Sequence, residues 1–151
     1  MALPDITTSG TSPPELPDTA HRVDFALPAT AESVAGARSR VHRALNAWHI
    51  PADSRDTAAL VVSELFTNAV THTNTRTVTC VLAATEHHVL VQVEDHGTEP
   101  SAPALQHADP QEERGRGLLL VEAVSQSWGA TSPDSRAGGR VVWAMLNTAP
   151  E

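Results

Sequence analysis

The sequence predicts an α+β fold: a two-layer sandwich in which a mixed β-sheet is covered on one face by about three α-helices. Three observations carry this. Residues 77–84, 88–94 and 140–146 are β-rich apolar runs of strand length. Residues 34–48, 53–72 and 118–124 instead repeat apolar side chains every three or four positions, the spacing of one helical face. The runs also follow one another as β, α, α, β, β, loop, α, β, β, so pairs of strands alternate with segregated helices.

Taken in order, residues 1–21 hold Pro4, Pro13, Pro14 and Pro17 among Thr, Ser and Asp, and read as a flexible tail. Residues 23–27 form a short first strand ending at Pro28. Thr30 opens a helix whose face is Val34, Ala37, Val41, Leu45 and Trp48, and Pro51 closes it. The second helix runs from near Asp53 to about His72 on a stripe of Ala58, Val62, Leu65, Phe66 and Ala69. Residues 77–84 and 88–94 make an antiparallel hairpin around Glu86 and His87. Residues 97–114 have no apolar periodicity, and a loop of that length is expected to be a functional lid or disordered. A third helix resumes at Leu118, residues 128–131 form a further strand, residues 132–139 turn the chain, and residues 140–146 supply the last strand. The 151 residues suffice for one domain that buries roughly 70% of its unfolded surface. Its expected bounds are 22–148, with a short tail at 149–151.

Composition removes several function classes. The formal net charge is -8 and all ten positive residues are Arg, scattered between Arg22 and Arg140, so no basic stripe attracts nucleic acid. No window approaches the ~20 apolar residues of a membrane span, and no basic segment followed by an apolar run opens the chain. Cys80 is the single cysteine, flanked by Val78, Val81 and Leu82, and reads as a core residue in a reducing, cytoplasmic setting. The eight His residues include no helical pair four apart and no Cys partner, so a structural zinc site is not expected. No Gly-x-Ser-x-Gly elbow is present. Trp48, Trp128 and Trp143 read as packing residues rather than a base-stacking platform.

Three motifs carry chemistry. Glu64 and Asn68 lie one helical turn apart, about 40° around the axis, so their polar ends point the same way. An Asn carbonyl can bind Mg²⁺ while a neighbouring carboxylate orients or deprotonates a nucleophile; the competing reading is a solvated helix face. Residues 91–97 are a strand ending in Asp95-x-Gly97. A carboxylate there can accept from an exocyclic amine such as adenine N6, with room for the base at the glycine, although turns favour the same residues. Gly115-Arg116-Gly117 leads from the loop into the apolar run Leu118, Leu119, Leu120 and Val121. Glycines at a helix N-terminus let backbone N–H groups approach a phosphate, and Arg114 and Arg116 add charge pairing; the competing reading is a flexible hinge.

In this order the motifs resemble the GHKL superfamily, the Bergerat-fold ATP-binding domains, over roughly residues 23–146. Residues 62–70 (VSELFTNAV), residues 114–121 (RGRGLLLV) and the ending Gly139-Arg140-Val141-Val142-Trp143 look most like the stand-alone anti-sigma-factor serine/threonine kinases of actinobacteria. The resemblance implies ATP and Mg²⁺ as cofactors, with Asn68 on the metal and Glu64 as catalytic base. It implies that Asp95 and Gly97 hold the adenine, and that Arg114, Gly115, Arg116, Gly117 and Leu118 line the phosphates beneath the lid. Its implied partners are a sigma factor and an anti-anti-sigma antagonist, phosphorylated on Ser or Thr by a homodimeric kinase. Three departures stand out: Glu99 replaces the second glycine of the first glycine box, Arg140-Val141 replaces a Thr at the start of the last strand, and the lid is Pro-rich and acidic. Two alternatives stay open. One is a catalytically inactive module, with or without nucleotide, that sequesters a partner. The other is a detached histidine-kinase catalytic domain.

Overall fold

The computed structural model describes residues 12–97, 113–131 and 139–148. Their elements are β1 (His21–Pro28), α1 (Glu32–Ala47), α2 (Ala52–His72), β2 (Thr77–Ala84), β3 (His88–Asp95), α3 (Glu113–Val124), β4 (Ser127–Ala130) and β5 (Arg140–Asn147). The strands form one five-stranded sheet in the order β1-β2-β3-β5-β4. Every pairing is antiparallel, so the sheet is not the mixed one expected. The reason lies in the last hairpin. β3 and β4 run in the same direction across α3, as in a crossover unit, but β5 folds back from β4 and inserts between them, pairing antiparallel with both.

The helices cover one face. Ala37, Val41 and Leu45 of α1 and Ala58, Val61, Val62, Leu65, Phe66 and Ala69 of α2 bury their stripes against Val78, Cys80, Leu82, Val89, Val91 and Val93 of the central hairpin. Val121 brings α3 into the same core. Side chains on a strand alternate between faces, which is why these odd- and even-numbered sets from β2 and β3 meet on one side. Cys80 is buried there, as expected, and burial pushes its thiol up to about 12.

Local chemistry sets the helix ends. The hydroxyl of Thr30 accepts the Ser33 N–H at 3.3 Å where α1 begins. At the other end the Ile50 N–H donates to Leu45 O and the His49 N–H to Asn46 O, both at 3.0 Å, the paired bonds of a Schellman cap. His49 occupies its left-handed position at φ 63°, where glycine is usual.

One boundary differs from expectation in a way that affects the site. α3 begins at Glu113, so Arg114, Gly115 and Arg116 form its first turn, and Gly117 follows inside the helix rather than in a preceding loop. Packing of Val121 and Leu118 on the core outweighs the poor helix propensity of two glycines. The expected lid over residues 98–112, with Glu99, lies outside the described residues, as do residues 1–11 and 132–138. Residues 12–20 of the expected tail run across the sheet, where Leu16 packs. Among the described residues no helix is long and apolar enough to cross a membrane.

Candidate functional site

Four elements converge at one end of the sheet: the C-terminal half of α2, the end of β3, the start of β5 and the end of β4. Between them and α3 lies a cavity of about 110 Å³. Its floor is apolar, from Leu65, Val93, Leu118, Trp128 and Val142, and its polar groups come from Asn68, His72, Thr73, Asp95 and Arg140. An apolar cleft with a few convergent polar groups is the usual form of a small-molecule site.

Asp95 is the most constrained of these groups, at 7% exposure. Its Oδ1 accepts the Gly97 N–H at 3.1 Å, which fixes the carboxylate at the strand end. Burial pushes its pKa above the ordinary 3.8, and the Gly97 hydrogen bond, the Arg140 charge and the His96 charge act in the opposite direction. Arg140 stands opposite Asp95 in the β3–β5 register, so the charge that tempers burial is placed by strand pairing.

The chain leaving β3 passes close to the segment following α2: a Cβ at Gly97 would lie 3.5 Å from the backbone N of Asn74 and Thr75 and 2.5 Å from Asn74 Oδ1, so that only the tip of the Asn74 side chain would have to move. A ladder of hydroxyls secures the same junction. Thr73 Oγ1 donates to Ala69 O at 2.7 Å, Thr75 Oγ1 donates to Thr77 O at 2.6 Å, and Thr75 Oγ1 accepts the His96 N–H at 2.9 Å. The end of α2 and the end of β3 are thereby held together, and with them Asn68 and Asp95.

Glu64 behaves differently from Asn68. Its carboxylate sits against the α3 backbone at Gly117, where a Cβ would come within 2.6 Å of Oε1, and Glu64 does not line the cavity with Asn68. Of the residues singled out in the sequence, the structure therefore gathers Asn68, Asp95 and Leu118 around one cavity, with Gly97 bonded to its carboxylate. Glu64 and Gly117 meet each other at the adjoining α2–α3 contact. Arg114, Gly115 and Arg116 fall in the first turn of α3.

Sequence reasoning missed His72, Thr73 and Arg140, and took Trp128 for packing alone. His72 had a usable signal, since it lies four residues after Asn68 and eight after Glu64 on the same helical row. Arg140 had none, because only the strand register brings it to Asp95. Trp128 packs on the core and also walls the cavity, and its Nε1 is buried without a hydrogen-bond partner among the described residues.

The residues present fit a purine. A fixed, buried acceptor at the edge of an apolar slot is what an exocyclic amine requires, and the indole and aliphatic walls suit a planar base. For a cation the donor set is sparse: among the described residues no group of three His, Cys, Asp or Glu is assembled. Asn68 alone offers a carboxamide oxygen, which fits Mg²⁺ of the kind completed by water and phosphate oxygens.

This two-layer architecture, with a helix-borne Asn facing a strand-end Asp, defines a GHKL-type ATPase fold. The family comparison agrees: residues 27–146 match the histidine kinase-like ATPase domain, and the chain belongs to that family. Membership implies ATP binding. Among solved structures, the chain is similar to the RsbU and RsbW domains of Rv1364c from Mycobacterium tuberculosis, with TM-score 0.61 and 19% identity over 86% of this chain and 33% of that one. It is also similar to a chain of the SiaB-SiaC complex from Pseudomonas aeruginosa, with TM-score 0.62 and 14% identity over 82% of this chain and 88% of that one. The chain thus spans about a third of the Rv1364c chain and most of the other. At these identities the likeness is one of fold. No curated protein matches the sequence.

Proposed function

We propose that the chain is a cytoplasmic anti-sigma serine/threonine kinase that acts by partner switching. It would bind Mg-ATP in the cavity between α2, β3 and β5 and phosphorylate a Ser or Thr of a small antagonist protein. The observation that carries this reading is the buried Asp95 carboxylate, fixed by Gly97 at the edge of an apolar slot that Asn68 also lines. The family match and the fold shared with an RsbW-domain protein and with the SiaB-SiaC complex support it.

In this reading Asp95 accepts a hydrogen bond from the adenine amine, and the slot excludes water around the base. Asn68 holds Mg²⁺, which supplies the charge neutralisation that phosphoryl transfer chiefly needs. Glu64 takes the proton of the attacking hydroxyl, and the first turn of α3, with Arg114 to Gly117, faces the phosphates. The product carries added negative charge at the antagonist's interface and leaves, freeing the kinase to hold a sigma factor as a homodimer.

One observation favours a second reading. Glu64 is seated against Gly117 rather than in the cavity, which suits a module that binds nucleotide and sequesters its partner without chemistry. Calorimetric titration of Mg-ATP into the wild type and a folded Asp95→Ala variant tests the site: saturable binding lost in the variant is the expected result. Wild-type protein that binds no nucleotide at millimolar concentration would refute the proposal. Incubation with labelled ATP and the antagonist then separates the readings, since acid-stable label on the antagonist requires a Ser/Thr kinase. Binding without label leaves the sequestering module, and acid-labile label points to a histidine acceptor.

A further inference from the structure

We propose that the cavity takes 6-oxopurine nucleotides, those of hypoxanthine and guanine, as well as ATP, and that Arg140 is the residue that sets this breadth. The inference rests on the nucleotide-binding reading above and extends it to a second substrate class.

A base edge is read by donors and acceptors in order. Asp95 supplies the acceptor, 7% exposed and fixed through Oδ1 by the Gly97 N–H at 3.1 Å. Arg140 supplies the donor. It stands directly opposite Asp95 in the β3–β5 register, which sets the two Cβ atoms on one face of the sheet at roughly 4.5–5.5 Å, and both residues line the cavity. Val142 lines it too, whereas Val141 between them does not, as strand alternation requires.

The start of β5 has little freedom to move away. A Cβ at Gly139 would lie 2.9 Å from the backbone O of Asp95, an atom that cannot swing aside as a side-chain tip does. The chain therefore enters β5 in close contact with Asp95 and delivers Arg140 beside the carboxylate. His96, the other charge that acts on Asp95, is engaged elsewhere: its Nε2 lies 3.0 Å from Thr79 Oγ1, and it does not line the cavity. The cavity's remaining polar groups, Asn68, His72 and Thr73, come from α2 and the residue after it.

A guanidinium presents a fork of N–H donors and no acceptor, so it can act on Asp95 and still donate to a base. Read outward from the five-membered ring, adenine presents the acceptor N7 and then the donor N6–H. A 6-oxopurine presents the acceptor O6 and then the donor N1–H, the same order one position further round. Arg140 followed by Asp95 matches both, with the base displaced by one ring position along the slot walled by Trp128 and the aliphatic side chains. Guanine adds an N2–H beside N1–H, and a carboxylate that accepts roughly four hydrogen bonds has capacity for it. A carboxylate without the guanidinium would reject O6, because two acceptors would face each other in an apolar slot.

Calorimetric titration of Mg-ATP and Mg-ITP into the full chain tests this, since the two nucleotides differ only in the 6-substituent and the N1 proton. The wild type is expected to bind ITP within about tenfold of ATP, a comparison that needs no variant to fold. Arg140→Met should weaken ITP about tenfold more than ATP, the scale of one hydrogen bond to a charged group. Arg140→Lys keeps a charged donor and should retain ITP binding. Saturable ATP binding with ITP weaker by more than about tenfold overturns the inference and leaves the ATP site standing, as does an equal loss of both nucleotides in folded Arg140→Met. A chain that binds neither nucleotide overturns the nucleotide-binding reading and this inference with it.

Discussion

Gly117→Ala separates two effects that oppose each other in sign. Gly117 lies inside α3, where alanine is favoured over glycine by about 1 kcal/mol. For a domain of this size that corresponds to a rise in Tm of roughly 2–4 °C. The new methyl would sit 2.6 Å from Glu64 Oε1, yet 3.6 Å from its Cδ and 4.0 Å from its Cβ, so only the carboxylate tip must withdraw, to 3.4 Å or more. Moving the end of a flexible side chain is cheap, and the propensity gain should dominate stability. Chemistry should respond in the opposite way. If Glu64 takes the proton of the attacking hydroxyl, a displacement of this size costs on the order of 10²-fold in rate, with nucleotide affinity little changed because Glu64 stands outside the base cavity. Differential scanning fluorimetry, Mg-ATP titration and a phosphotransfer assay read the three quantities. A variant with raised Tm and wild-type kcat would remove Glu64 from the mechanism. A lowered Tm would mean that the α2–α3 contact is too rigid for the carboxylate to yield, and the steric reasoning fails.

Three further outcomes follow from the same geometry. Because burial raises the Asp95 pKa, the folded state holds the proton more tightly than the unfolded chain, so this group's contribution to stability is present at low pH and is lost as pH rises through the folded value. Asp95→Asn should therefore raise Tm near pH 7 and lose that advantage below about pH 3.8, while ATP affinity falls; an equal or lower Tm at pH 7 would contradict the burial argument. His49→Gly should stabilise the chain by about 1 kcal/mol by relieving the left-handed backbone at φ 63°, and a chemical denaturation midpoint that does not rise refutes the strain. Cys80, with its thiol pushed up to about 12 inside the core, should resist iodoacetamide in the native protein and react only as fast as the chain opens; rapid native labelling would contradict its burial.

The helices and strands were legible because their signals are local. Apolar spacing located α1, α2 and the β2–β3 hairpin to within one or two residues, and Thr30 marked the start of α1 through a hydroxyl it does use. The start of α3 was not legible. Arg114 to Gly117 has the composition of a hinge, and it is helical because residues further along, Leu118 and Val121, are anchored in the core. Glu64 and Asn68 share a helical row, and from that spacing alone they read as one site. Their separation, Asn68 to the cavity and Glu64 to Gly117, depends on where α3 docks.

The chain's sequence by itself determined the fold class, the helical layer and the Asp95-x-Gly97 end of β3, because periodicity and turn chemistry are properties of neighbours along the chain. Tertiary structure alone decided the antiparallel order β3-β5-β4, the approach of Arg140 to Asp95 and the covering of Trp143 by Leu16. Each of those joins residues tens of positions apart. Such contacts follow from which strand inserts beside which, a choice made by the packing of the whole sheet and encoded in no single segment.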